Sequence, residues 1–160
     1  MKKSFFTLLL GLGVAFGANI QTLTQQCESN NAKACYDLSV AYALGKGVPT
    51  NQKKAFELVQ KACDLGSASA CSGVGFFYEK GAEWNSGVAK DLSKAFAFYK
   101  KACDMGDAKG CFNLGVLYYN GGDGVKKDIN AAKNYFKKAC SMGVQDGCDN
   151  YKIMLRQGGR

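Results

Sequence analysis

The chain of 160 residues predicts an all-α fold, a solenoid of stacked α/α hairpins with a disulfide in each, and three observations predict it. The eight cysteines fall into four evenly spaced pairs, Cys27 with Cys35, Cys63 with Cys71, Cys103 with Cys111, and Cys140 with Cys148. The stretch from Lys101 to Gly106 recurs from Lys61 to Gly66 and from Lys138 to Gly143, so this regularity belongs to a repeat and not to a single active site. A second anchor, Gly47-Val48, Gly87-Val88 and Gly124-Val125, is followed each time by Asn51, Asp91 or Asp128, residues that cap the start of a helix.

Taken in order, the chain opens with Lys2 and Lys3, an uncharged apolar run from Phe5 to Phe16, and small residues at Ala15, Gly17 and Ala18. This reads as a secretory signal peptide over residues 1–17, cleaved after Gly17 or Ala18. A membrane anchor is the weaker reading, because the run falls short of the roughly 18 apolar residues a spanning helix needs. No membrane span is expected after its removal. Residues 18–30 read as an N-terminal cap helix with Leu23 and Cys27 inward, closed by Asn30, the best non-glycine substitute at a left-handed position.

Three repeats follow, over residues 31–66, 67–106 and 107–143. From the alanines at 55, 95 and 132, apolar residues recur on one helical face as Val59 and Ala62, Tyr99 and Ala102, Phe136 and Ala139, with the cysteine next. Gly66, Gly106 and Gly143 then close each helix in the left-handed conformation and the chain reverses. The next helix carries the second cysteine and a stripe of Leu38, Ser39 and Tyr42, of Val74, Gly75 and Tyr78, or of Leu114, Gly115 and Tyr118. Residues 144–156 form a C-terminal cap helix, with Lys152 where the repeats have a small residue, and 157–160 a tail. The second repeat carries an insertion around Gly81 to Ser86 that holds Trp84, the only tryptophan. Trp84 either anchors a partner or folds back onto its own repeat.

Geometry selects the pairing. Two cysteines eight apart in one helix would lie about 12 Å from each other, whereas a disulfide wants α-carbons at roughly 4.4 to 6.8 Å. Reversal at the glycine brings Cys27 to Cys35, Cys63 to Cys71, Cys103 to Cys111 and Cys140 to Cys148. By chain entropy each nine-residue loop contributes about 2.5 kcal/mol, and four together on the order of 10 kcal/mol as an upper bound. An export signal and an even cysteine count imply an oxidising, secreted or periplasmic setting. The chain lacks histidine and Cys-x-x-Cys, so no metal and no cofactor is expected. Its net charge of +8, about +6 once Lys2 and Lys3 are removed, is spread along the repeats in basic runs of at most two residues. It reads as a solvated surface, without specific nucleic-acid binding.

Leu114-Gly115 with Tyr118, then Ala132, Phe136 and Ala139, resemble the signature of tetratricopeptide repeats, and the Gly-Val and Lys-Ala elements resemble their Sel-one-like relatives. Four cysteine pairs behind a signal peptide are similar to the Helicobacter cysteine-rich protein family. The resemblance covers about Thr22 to Leu155. It implies right-handed stacking of the hairpins, secretion, and interaction with host or cell-envelope components, and members have been assigned penicillin binding and β-lactamase activity, a link to antibiotic resistance.

The residues do not supply that hydrolytic chemistry. No serine is followed by lysine three positions on, there is no Lys-Thr/Ser-Gly, and without histidine neither a zinc lactamase nor a Ser-His-Asp triad is available. No catalytic residue is therefore named, and a β-lactam remains an alternative ligand. The resemblance to tetratricopeptide repeats places a ligand groove on positions flanking each second cysteine: Lys33 and Tyr36, Ser72 and Phe76, Lys109 and Phe112, and Asp149, with Val40, Ser69, Val116, Asp146 and Ile153 at equivalent positions. Several of these have packing against the neighbouring hairpin as the competing role. The leading expectation is a monomeric binding module for an extended peptide, a muropeptide or other peptidoglycan-derived fragment, or a host or cell-envelope protein. A weak β-lactamase, and a regulator acting through the Trp84 loop, are the alternatives.

Overall fold

The computed structural model of the chain describes residues 13–157, without the side chains of residues 13–18, Ala82, Trp84 and Gln157. The first 12 residues of the expected signal peptide and the tail beyond Gln157 lie outside the described residues. Eight α-helices follow one another: α1 (Gly13–Glu28), α2 (Ala32–Leu44), α3 (Gln52–Asp64), α4 (Ala68–Lys80), α5 (Leu92–Asp104), α6 (Ala108–Asn120), α7 (Ile129–Ser141) and α8 (Gln145–Gln157), with a 3₁₀ turn (Gly81–Trp84) after α4. The first helix starts upstream of the expected cap at residue 18, because no proline or polar breaker interrupts the backbone there.

Each odd helix from α3 to α7 starts at the expected cap: Asn51, Asp91 and Asp128 accept from the backbone N–H of Lys54, Lys94 and Ala131. The same three residues donate their own N–H to the carbonyls of Tyr42, Tyr78 and Tyr118 at 2.8 to 2.9 Å. This bond pins both ends of each connection, so the longer connection of the second repeat joins its helices at the same two points as the others. At the other end, Gly66, Gly106 and Gly143 sit at φ of 91° to 92° and Asn30 at 63°. There the lysine of the Lys-Ala-Cys element satisfies a helix-end carbonyl of the preceding unit, Lys61 Nζ reaching Cys27 O at 2.8 Å.

Consecutive helices pack against one another throughout, and α4 also reaches α6. The contact of α4 with α6 makes even helices neighbours across a repeat boundary, and we term theirs the inner layer. The core runs along the interface between the layers. Ala55, Val59, Ala62, Val74, Ala95, Tyr99, Ala102, Leu114, Ala132, Phe136 and Ala139 are all buried. Stacked aromatic pairs, Tyr78 on Phe98 and Tyr118 on Tyr135, continue it from repeat to repeat.

The four disulfides join α1 to α2, α3 to α4, α5 to α6 and α7 to α8, with α-carbons 4.5 to 4.6 Å apart. A substitution at one packing position shows how the layers fit. A Cβ on Gly75 would lie 2.8 Å from the Tyr99 ring and 3.2 Å from Ala95 O, and one on Gly115 would lie 2.9 Å from Phe136. The first repeat has Ser39 there, with the smaller Val59 in the column of Tyr99 and Phe136, and the Ser39 hydroxyl donates to Ala55 O at 2.9 Å. Serine fits because valine left the space. At the other end Lys152 takes the glycine position, exposed and 3.8 Å from Asp149, and no further helix packs on it among the described residues.

Candidate functional site

On the inner layer a cleft of about 430 Å³ runs across successive even helices. Tyr36 from α2, Ser69, Ser72 and Phe76 from α4, and Asp107, Lys109 and Asn113 around α6 line it, and Met142 to Val144 close its far wall. These positions converge because the second-cysteine helices present the same face at each repeat.

Its floor is organised by Asp107. The chain reverses at Gly106, so Asp107 stands at the N-terminus of α6 and caps it, accepting from Gly110 N at 2.7 Å. The same carboxylate accepts from the Ser72 hydroxyl and, at 3.1 Å, from that of Ser69 across the repeat boundary. Ser72 is buried beneath it. Burial, then the negative charges of Asp107 and Asp37, push the Tyr36 phenol above its ordinary range. At the cleft edge the Tyr99 hydroxyl donates to Glu79 at 2.7 Å and also meets Asn113. Burial first, and the Glu79 carboxylate second, hold the Tyr99 proton on well above the usual tyrosine range.

Of the residues expected to form the groove, the structure gathers Tyr36, Ser72, Phe76 and Lys109 in this cleft, with Ser69. It places three others elsewhere. Lys33 forms an exposed i,i+4 ion pair with Asp37 on its own helix. Phe112 turns inward, its ring 5.6 Å from that of Phe136, because an apolar ring gains more from the inter-repeat core than from water. Asp149 lies on α8, past which no even helix follows to build a second wall, and hydrogen-bonds Gln145 at 3.0 Å. The Trp84 side chain lies outside the described residues. Asp107 and Asn113 were missed: Asp107 stands four positions before a second cysteine, where the other repeats have Asn31, Ser67 and Val144, so a lone acid in that column was the available signal.

A second, apolar cleft of about 260 Å³ continues along α6 towards α8, lined by Val116, Tyr119, Phe136, Asn150, Ile153 and Met154. Among the described residues no cluster of metal-ligating side chains occurs, and no helix is long and apolar enough to cross a membrane.

The Sel1 repeat pattern matches residues 32–67, 68–107 and 108–144. Among solved structures, the chain is similar to Helicobacter pylori cysteine rich protein B, with 34% identity and a TM-score of 0.66 over 88% of this chain and 97% of that one. It is also similar to a Sel1 repeat protein from Oxalobacter formigenes, with 27% identity and a TM-score of 0.72 over 84% of this chain and 98% of that one. Cytochrome c oxidase assembly factor 7A of Xenopus laevis is 37% identical over 65 residues, which is 40% of this chain; the match spans only 26% of that protein. The fold is one used for protein interaction, and its four disulfides point to an oxidising compartment. With three matched repeats covering most of its length, and a disulfide locking each junction between helix pairs, the chain belongs to the Sel1 repeat family.

Proposed function

We propose that this is an exported binding module whose inner cleft takes an extended peptide segment, from a host or cell-envelope protein or from the peptide stem of a peptidoglycan fragment. The cleft itself carries the reading: aromatic, hydroxyl, amide and charged side chains from three successive even helices face one continuous trough. A side-chain mixture of this kind suits a segment that presents both backbone hydrogen-bonding groups and side chains. Export is supported by Lys2, Lys3 and the apolar run behind them, together with a bridge across each of the four turns at Asn30, Gly66, Gly106 and Gly143.

An array of immobilised twelve-residue peptides, probed with the purified oxidised protein, tests the reading. Binding to a subset of peptides, lost in Tyr36→Ala and Phe76→Ala variants that keep the helical circular dichroism spectrum, is the expected result. No binding to any peptide, or binding indifferent to both substitutions, overturns it. Turnover of β-lactams is not part of the proposal, since Ser69 and Ser72 both donate to Asp107 and neither hydrogen-bonds a lysine among the described residues.

A further inference from the structure

Asp107 has no ion-pair partner among the described residues. Its carboxylate accepts from two hydroxyls and one backbone N–H, all neutral donors. Two carboxylate oxygens offer about four acceptor positions, so three donors leave one open towards the trough. Lys109 lines the same cleft but is exposed on a long flexible stem, whereas Asp107 is half-buried and held at three points. The fixed charge of the site is therefore negative. Tyr36 supplies an aromatic wall to the same trough, and the Phe76 ring beside it already has Lys80 Nζ 5.7 Å from its centroid. A carboxylate in a trough with an aromatic wall attracts a guanidinium or ammonium group more than any neutral side chain.

The apolar cleft lies further along the same helix. Asp107 caps α6, and Val116 lies nine residues on, a rise of about 13.5 Å. An extended peptide advances about 3.3 Å per residue, so groups seated at the two places are roughly four residues apart. The chain's own net charge of +8 opposes a polybasic ligand, which leaves one basic residue in an otherwise neutral or acidic segment as the better fit.

We infer that the ligand segment seats a single Arg or Lys side chain on Asp107 and a branched apolar side chain, four positions away, in the cleft of Val116, Ile153 and Met154. This rests on the peptide-binding reading above and gives it a sequence preference.

The test uses fluorescence anisotropy with acetylated, amidated peptides of eight residues, in which Arg and Leu stand four apart in a Ser-rich background. Both orders are made, with partners carrying Gln for Arg or Ser for Leu. In one order the Arg-Leu peptide is expected to bind the oxidised full chain at least tenfold more tightly than its Gln partner. The Asp107→Asn variant keeps a capping side chain, as Asn31 and Asn51 do at other helix starts, and is expected to bind the Arg and Gln peptides alike. Val116→Ser is expected to remove the preference for Leu over Ser while leaving the Arg preference intact. Equal binding of Arg and Gln peptides by the unmodified protein, or discrimination that survives Asp107→Asn, overturns the inference. Array binding without enrichment of basic residues overturns it alone and leaves the peptide-binding reading standing. An array with no binding at all overturns both.

Discussion

Replacing Gly75 with alanine tests how tightly the two layers are fitted. The added methyl would lie 2.8 Å from both Cδ1 and Cε1 of Tyr99 and 3.2 Å from Ala95 O. Carbon atoms in contact prefer about 3.5 to 4.0 Å, so something must shift. Tyr99 is not free to do so: its ring is fully buried and its hydroxyl is held by Glu79 at 2.7 Å. Overpacking of this kind costs about 1 to 3 kcal/mol, and helix propensity returns about 1 kcal/mol in favour of alanine. The expected net loss is therefore about 0 to 2 kcal/mol, measured by urea unfolding of the oxidised protein. A second substitution isolates the cause. In a Tyr99→Val background the partner matches Val59 in the same column, and Gly75→Ala is expected to become stabilising by about 0.5 to 1 kcal/mol, a coupling near 2 kcal/mol. Gly75→Ala that is stabilising in the unmodified protein, or a coupling below about 0.5 kcal/mol, would refute the account of layer spacing.

Three further outcomes are expected. Cys103→Ala with Cys111→Ala opens one nine-residue loop and is expected to lower unfolding free energy by about 2.5 kcal/mol, read from urea midpoints at constant slope; an unchanged midpoint would contradict the chain-entropy reasoning. Stability is expected to fall as pH rises above 10, because the folded state retains the Tyr99 proton that the unfolded chain releases there. The slope from this residue is about 1.4 kcal/mol per pH unit, and Tyr99→Phe should flatten that part while leaving the smaller effects of Tyr36 and Tyr118. Nitrocefin hydrolysis is expected to be absent from protein refolded after heat denaturation and purified from a host without its own lactamase. Turnover that scales with refolded protein would restore an enzymatic role.

The helix pattern was legible because its signals are local. Gly106 needs a left-handed turn, Asp91 caps the helix that follows it, and Tyr99 and Ala102 share one face at helical spacing, so each could be read within about ten residues. The cleft was only partly legible because it depends on where faces meet. Tyr36, Ser72, Phe76 and Lys109 followed from the column they occupy. Phe112 occupies the same column as Tyr36 and Ser72, yet packs inward, since its fate is decided by Phe136 on another helix. Asp107 caps its helix as Asn31 and Ser67 do in the other repeats. Its second role appears only when Ser69 and Ser72 arrive from the previous repeat. Likewise the bond from Asp91 N to Tyr78 O, which lets the second repeat carry a longer connection, joins residues whose separation differs in every repeat.

The bridges join each odd-numbered cysteine, counted along the chain, to the one directly after it. For a polypeptide that enters an oxidising compartment N-terminus first, this order has a kinetic meaning. Each thiol meets its correct partner before the next pair has arrived, and loops of about ten residues close in roughly 10 to 100 ns, far faster than thiol oxidation itself. The correct partner is thus always the nearest thiol along the chain, which favours the native connectivity over any longer loop. Deleting a repeat between two glycine turns, residues 67–106 for example, removes one cysteine from each of two bridges, Cys71 and Cys103, and leaves Cys63 and Cys111 at the same spacing of eight, so the length of such an array can change without stranding a reactive thiol.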